Sequence, residues 1–101
     1  MNVLIVDDEA LARSRLKRMV EQIPNHEVIA EAQNGKEAVE QVDKLAPDVV
    51  LMDIQMPEMD GYEATQMIRK QNEHNAKMPI VAMTANAMKQ DEDKVKAVGM
   101  D

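Results

Sequence analysis

Polar side chains that can handle phosphate or metal follow three short apolar runs of this chain. They are Asp7 and Asp8 after residues 3–6, Asp53 after residues 49–52, and Thr84 after residues 80–83. Continuous apolar runs of this length are typical of strands that are buried on both faces, as in a parallel sheet. Because open α/β sheets bind ligands at the carboxyl ends of their strands, we predict that these side chains gather at one edge of a sheet.

The chemistry of these groups is that of a metal-assisted phosphoryl site. Clustered carboxylates repel one another unless a cation lies between them, and Mg²⁺ prefers oxygen ligands of this kind. Asp53 could attack phosphorus as a nucleophile, and Thr84 could donate its hydroxyl to a phosphoryl oxygen. Simpler interpretations stay open at this point, with Asp8 as a helix N-cap, Asp53 as a turn residue and Thr84 as an ordinary strand residue.

The first predicted helix follows Asp8 and ends near Pro24. Apolar residues recur at three- and four-residue steps and form one side of this helix: Ala12, Leu16, Met19, Val20 and Ile23. Basic residues occupy the other faces: Arg13, Arg15, Lys17 and Arg18. We interpret these basic residues as a solvated surface of the helix.

Weaker signals complete the predicted order of elements. Mixed polarity over residues 27–32 predicts an edge strand, and Asn34-Gly35 predicts the start of a second helix. A third helix follows Gly61, residues 71–77 predict a loop, and a final helix is predicted over residues 87–98. The whole pattern indicates a doubly wound α/β domain in which four parallel strands alternate with helices.

Composition limits the classes of function. A length of 101 residues allows one small domain, and a net charge of -7 disfavours direct binding to nucleic acid. The chain has no cysteine and no apolar stretch of the length of a signal peptide or membrane span, so we expect a cytoplasmic protein.

His26 and His74 lie in predicted loops without metal-ligand spacing, and we expect both to be solvated.

Three motifs together resemble the receiver domain of two-component response regulators. They are Leu4-Ile5-Val6-Asp7-Asp8-Glu9, the stretch from Val50 to Gly61 that contains Asp53-Ile54-Gln55-Met56-Pro57, and Ile80-Val81-Ala82-Met83-Thr84-Ala85. The resemblance implies a flavodoxin-like fold and Mg²⁺-dependent phosphorylation of Asp53 in a phosphorelay. The implied phosphodonor is a sensor histidine kinase, a phosphotransfer protein or a small molecule such as acetyl phosphate.

The same resemblance assigns a role to each site residue. Asp53 would be the phosphoacceptor and a metal ligand, Asp8 a direct Mg²⁺ ligand, and Asp7 a ligand through water. The backbone carbonyl of Gln55 would complete the protein ligands, with Mn²⁺ as a second candidate ion. Thr84 would be the hydroxyl that moves toward the phosphoryl group on activation.

The sequence departs from the family pattern at its C-terminal end. The family that the sequence resembles has a sheet of five strands in the order 2-1-3-4-5, with a Lys after the fifth strand. The sequence of this chain predicts only four strand-helix units, in the order 2-1-3-4. The fourth strand is then expected at an exposed edge, which favours a homo-oligomer that associates through this edge. We also expect that loss of the fifth unit impairs phosphorylation.

Two further expectations concern activity and origin. A haloacid-dehalogenase-like phosphatase would need a second Asp at the position of Gln55, so we expect self-phosphorylation and autodephosphorylation at most, without turnover of an external substrate. The opening through Arg18 resembles regulators with LytTR-type outputs, and residues 56–100 resemble receivers of hybrid sensor kinases. This mixture suggests an engineered chimera, so the alternative to a signalling receiver is a non-signalling scaffold that self-associates.

Overall fold

The computed structural model describes residues 1–53 and 59–83 of the chain. The strands are β1 (Asn2–Val6), β2 (Glu27–Ala32), β3 (Val49–Asp53) and β4 (Ile80–Met83). The helices are α1 (Ala10–Glu21), α2 (Gly35–Leu45), α3 (Gly61–Arg69) and α4 (Glu73–Lys77). The predicted final helix at residues 87–98 lies outside the described residues.

The strands form one parallel sheet in the order β2-β1-β3-β4. The predicted strand order and the predicted edge position of β2 are therefore confirmed. β1 and β3 lie side by side in register, with Val6 opposite Met52, so their carboxyl ends meet at the same edge of the sheet. Glu27 and Glu31 are exposed on β2, and charged side chains of this kind discourage pairing of an edge strand with another chain.

The core has two layers because successive side chains of each strand point to opposite faces of the sheet. Leu4 and Val6 of β1 pack on the face that α2 and α3 cover, in a cluster of buried residues that includes Met52 and Ile68. On the opposite face, a smaller cluster joins these residues: Val3, Ile5, Val49 and Val20 of α1. This division explains why residues 3–6 of β1 are all apolar, since both faces of the strand are covered there.

Fewer of the apolar residues on the predicted apolar side of α1 are buried than the sequence pattern suggests. Val20 is buried and Leu16 packs partly against the smaller cluster, but Met19 and Ile23 are 62% and 49% exposed. Ile23 lies beyond the end of the helix at Glu21, and Met19 lies about 100° around the helix from Val20. The apolar side that the sequence indicates for this helix is therefore only partly buried.

Residues 71–77 were predicted as a loop, and this prediction is also wrong, because Glu73–Lys77 forms a short helix. Its N-cap is Asn72, whose side chain accepts a hydrogen bond from the backbone N–H of Asn75. His74 lies in this helix, with its Nε2 atom 3.0 Å from the carbonyl oxygen of Pro47. The Asn72-Glu73 pair is a helix-start signal that the polar composition concealed.

The turns between elements follow their sequence signals. Asn34 is the N-cap of α2, as predicted, and its side chain accepts a hydrogen bond from the backbone N–H of Glu37 at 2.8 Å. The same helix ends at Leu45, and its C-cap residue Ala46 adopts a left-handed conformation with φ of 45° before Pro47. Within the described residues, no helix combines the length and the apolar character that crossing a membrane requires.

Candidate functional site

Three carboxylates meet at the carboxyl edge of the sheet. Asp7 and Asp8 follow β1, and Asp53 is the last residue of the neighbouring β3. One carboxylate oxygen from each of the three residues lies within 4.8 Å of the others. The structure thus gathers the three acidic residues that the sequence placed at strand ends, while Gln55 and Thr84 lie outside the described residues.

Asp7 is held on three sides. Its backbone N–H donates to the carbonyl oxygen of Ala32 at 3.0 Å, and its Oδ1 atom accepts the backbone N–H of Glu9 at 2.9 Å. Its carbonyl oxygen accepts a 2.7 Å hydrogen bond from Nη1 of Arg13. A side chain that bonds to the backbone two residues further on fixes a tight turn, and here that turn carries Asp8 toward Asp53.

Asp8 is not the N-cap of α1. The N-cap position is Glu9, which has extended backbone angles and makes no side-chain capping bond. The N-cap interpretation of Asp8 is therefore wrong. Asp8 is exposed, whereas Asp7 and Asp53 are half-buried, so solvent reaches the group of acids from the side of Asp8.

The donor set fits a hard divalent cation. Oxygen ligands of Mg²⁺ lie at about 2.1 Å from the ion, so oxygens in one octahedron are about 3 to 4 Å apart. Carboxylate oxygens within 4.8 Å of one another can thus belong to one coordination sphere, directly or through a bound water. The Oδ1 atom of Asp7 accepts the Glu9 N–H, and a carboxylate has further lone pairs with which to bind an ion.

Hydrogen bonds hold Met59 and Asp60, which directly precede α3, in place. The carbonyl oxygen of Met59 accepts the backbone N–H of Gly35 at 3.2 Å, so the first residue of α2 contacts the segment before α3. Asp60 is the N-cap of α3 and accepts the backbone N–H of Glu63 at 2.9 Å. These bonds fix where the connection from β3 to α3 must end.

Arg13 is a residue that sequence reasoning placed wrongly. It was interpreted as part of a solvated basic surface, but its side chain is only 17% exposed and it contacts both Asp7 and Glu31. Its Nε atom lies 3.4 Å from Oε1 of Glu31 on β2. The sequence signal for this contact was the position of Arg13, six residues after Asp7. The first turn of a helix lies over the end of the preceding strand, so a long side chain at this position can reach Asp7.

The order of the strands and the acidic group at their carboxyl ends agree with a sequence comparison. A sequence model of the response regulator receiver domain matches residues 3–101. The chain belongs to this family. The flavodoxin-like receiver fold that the sequence predicted is thereby confirmed.

Individual relatives support the assignment to the receiver family. A protein-glutamate methylesterase/protein-glutamine glutaminase 2 of Carboxydothermus hydrogenoformans is 59% identical over 68 residues, which are 67% of this chain and 19% of that protein. The receiver domain of Thermotoga maritima CheB superposes with a TM-score of 0.89 and 32% identity, covering 99% of this chain and 73% of that chain.

A further solved receiver is in a complex that contains CheX, CheY, BeF3 and Mg²⁺, from Borrelia burgdorferi. It superposes with a TM-score of 0.90 and 26% identity, covering 100% of this chain and 74% of that chain. The chain spans less than half the length of the curated relatives that it matches.

Proposed function

We propose that this receiver domain accepts a phosphoryl group on Asp53 in a reaction that depends on Mg²⁺. The observation that carries the proposal is the approach of Asp7, Asp8 and Asp53 to within 4.8 Å at the carboxyl edge of the sheet. Asp7, Asp8, Asp53 and the backbone carbonyl of Gln55 would hold the ion, and Mn²⁺ is a second candidate. The bound ion would neutralise the charge of the phosphoryl oxygens.

The proposed step transfers a phosphoryl group from the donor to a carboxylate oxygen of Asp53. A carboxylate oxygen of Asp53 forms a bond to phosphorus, and the bond from phosphorus to the donor breaks. With phosphohistidine the electron pair returns to the imidazole nitrogen, and with acetyl phosphate it leaves with the acetate oxygen. The product is an acyl phosphate on Asp53, and Thr84 is proposed to donate its hydroxyl to a phosphoryl oxygen.

The natural donor would be a sensor histidine kinase or a phosphotransfer protein. Membership of the receiver family supports a partner of this class. The presence of Mg²⁺ and BeF3 in the Borrelia burgdorferi complex supports the metal and phosphoryl chemistry for that relative, and we carry it to this chain as part of the proposal. The chain is expected to dephosphorylate itself and to turn over no external substrate.

Intact-mass measurement tests the phosphoacceptor role. The protein is incubated with acetyl phosphate and Mg²⁺, and the mass is expected to increase by one phosphoryl group. The matched variant Asp53→Asn has the same size but lacks the nucleophilic oxygen, and it should gain no mass. An unmodified parent protein, or equal modification of the variant, would refute the proposal.

A melting experiment tests the metal site separately. An ion that binds only the folded state raises the unfolding free energy by RT ln(1 + [L]/Kd), which is about 2.7 kcal/mol at a hundredfold excess over Kd. We expect Mg²⁺ to raise the melting temperature of the parent and to have much less effect on Asp8→Asn. Equal responses of the two proteins would show that the acids do not form the site.

A second candidate function is a self-associating scaffold that does not signal. It is favoured by the position of β4 at the end of the order of the strands in residues 1–53 and 59–83, and by Leu51 and Val81, which are only partly buried on the smaller core face. We propose that a second copy of the chain packs against β4, and that phosphorylation is then impaired. Sedimentation velocity should show a dimer, and a monomer across the measured concentrations would contradict this candidate.

A further inference from the structure

We propose that Arg13 is a positioning residue for the metal site, because it holds the backbone of Asp7 in the orientation that brings the acidic side chains together. This inference rests on the proposed Mg²⁺-dependent function. Arg13 itself makes no contact with phosphate or metal in the proposed reaction, and it acts through the main chain of Asp7.

The contact that carries the inference is the bond from Nη1 of Arg13 to the carbonyl oxygen of Asp7, at 2.7 Å. This carbonyl belongs to the peptide group that joins Asp7 to Asp8. Fixing its direction therefore fixes the plane of that peptide, which contains the N and Cα atoms of Asp8 from which the Asp8 side chain extends. A hydrogen bond from a charged donor is stronger than one between neutral groups.

A second contact fixes Arg13 itself. Its Nε atom lies 3.4 Å from the carboxylate of Glu31 on β2, and its side chain is 17% exposed. The guanidinium is therefore tied to a residue of the sheet as well as to Asp7. Partial burial restricts the rotamers of this long side chain, so less freedom remains to be lost when it bonds to Asp7.

Geometry and charge predict opposite effects of removing Arg13, which makes the inference testable. Loss of a positive charge near three carboxylates should strengthen the attraction of a divalent cation, by Coulomb's law alone. Loss of the bond to Asp7 should instead weaken binding, because the acids are no longer held in place before the ion arrives. The sign of the change in Mg²⁺ affinity therefore distinguishes the two roles.

The matched pair of variants is Arg13→Met and Arg15→Met. Both remove one positive charge from α1 and keep an unbranched side chain of similar helix propensity. Arg15 is exposed on the same helix, so its variant reports the effect of charge without the bond to Asp7. A third variant, Arg13→Lys, keeps the charge and one flexible donor.

Isothermal titration of the metal-free proteins with MgCl2 measures the affinity directly. We expect the Kd of Arg13→Met to rise about tenfold, the size of effect that groups orienting metal ligands commonly have. The Kd of Arg15→Met should equal that of the parent or be slightly lower. Arg13→Lys should lie between the parent and Arg13→Met.

Three results would overturn the inference. They are an unchanged or tighter Kd for Arg13→Met, an equal weakening by Arg15→Met, and a failure of Arg13→Lys to recover any affinity. Melting curves without Mg²⁺ check that each variant is folded, and if Arg13→Met is not, the comparison of Arg13→Lys with Arg15→Met decides. Failure of the proposed function itself looks different, because the parent protein would then bind no Mg²⁺ or would gain no phosphoryl group from acetyl phosphate.

Discussion

The contact between Gly35 and Met59 leads to a prediction whose sign is decided by the tertiary structure. Gly35 is the first residue of α2, and replacing glycine with alanine in a helix ordinarily stabilises a protein by about 0.5 to 1 kcal/mol. A Cβ atom on Gly35 would lie only 2.3 Å from the carbonyl oxygen of Met59 and 2.9 Å from its Cγ atom. Helix propensity and steric contact therefore predict opposite effects of Gly35→Ala.

The steric effect should be the larger one. The clashing atom is a backbone oxygen, so relief requires the segment before α3 to move away from α2 rather than one side chain to rotate. Overpacking of this kind costs about 1 to 3 kcal/mol, and loss of the 3.2 Å bond from the Gly35 N–H to Met59 costs about 1 kcal/mol more. After subtraction of the helix-propensity gain, we expect a net loss of about 1 to 3 kcal/mol.

Thermal and urea unfolding measure this loss. A domain of this size loses roughly 4 to 8 °C in melting temperature for each kcal/mol, so the expected decrease is easily resolved. The control is Lys36→Ala at the next, exposed position of α2, which should change the stability by less than about 0.5 kcal/mol. A Gly35→Ala protein that melts at or above the temperature of the parent would refute the reasoning.

Substitutions at three further positions test the helix caps by unfolding measurements and the support of α4 by amide exchange. Asn34→Ala removes the acceptor of the Glu37 N–H and should cost about 1 kcal/mol, whereas Asn34→Ser, which keeps a neutral acceptor, should retain most of the stability. Ala46→Gly should raise the stability by about 0.5 to 1 kcal/mol because Ala46 has φ of 45°, and Ala46→Val should lower it; equal effects would exclude backbone strain as the cause. Arg69→Met removes bonds to the carbonyl oxygens of Asn75 and Met78, so amide exchange in α4 should quicken more than in α2; uniform exchange would show that Arg69 does not support α4 locally.

Local patterns were sufficient for most of the sheet. The strands over residues 27–32 and 80–83 have the predicted bounds, because short apolar or alternating runs flanked by turn residues leave few other ways to bury their side chains. Asn34 was recognised as a helix start because a side-chain oxygen before a helix satisfies a backbone N–H that otherwise has no partner. The helix at 73–77 was missed because it has only five residues and shows no apolar periodicity.

Residue types and their spacing along the chain were enough to predict the chemistry that is available at the site. Three carboxylates at the ends of two predicted parallel strands can only meet at the carboxyl edge of a sheet, provided that the strands are neighbours. The pairing of β1 with β3, with Val6 opposite Met52, supplied that condition. The candidate site was therefore predictable from spacing combined with the rules of parallel sheets, and the family resemblance added roles to its residues.

The neighbours that hold the site in place depend on contacts between elements that are distant in the chain. Arg13 and Glu31 are 18 positions apart and belong to different elements, and neither charge nor apolar periodicity distinguishes Arg13 from the exposed Arg15. The contact of Gly35 with Met59 likewise joins segments that are distant in the chain. Local sequence encodes the conformation of a segment, whereas such contacts depend on how several elements pack at once, and that is settled by burial of the shared core.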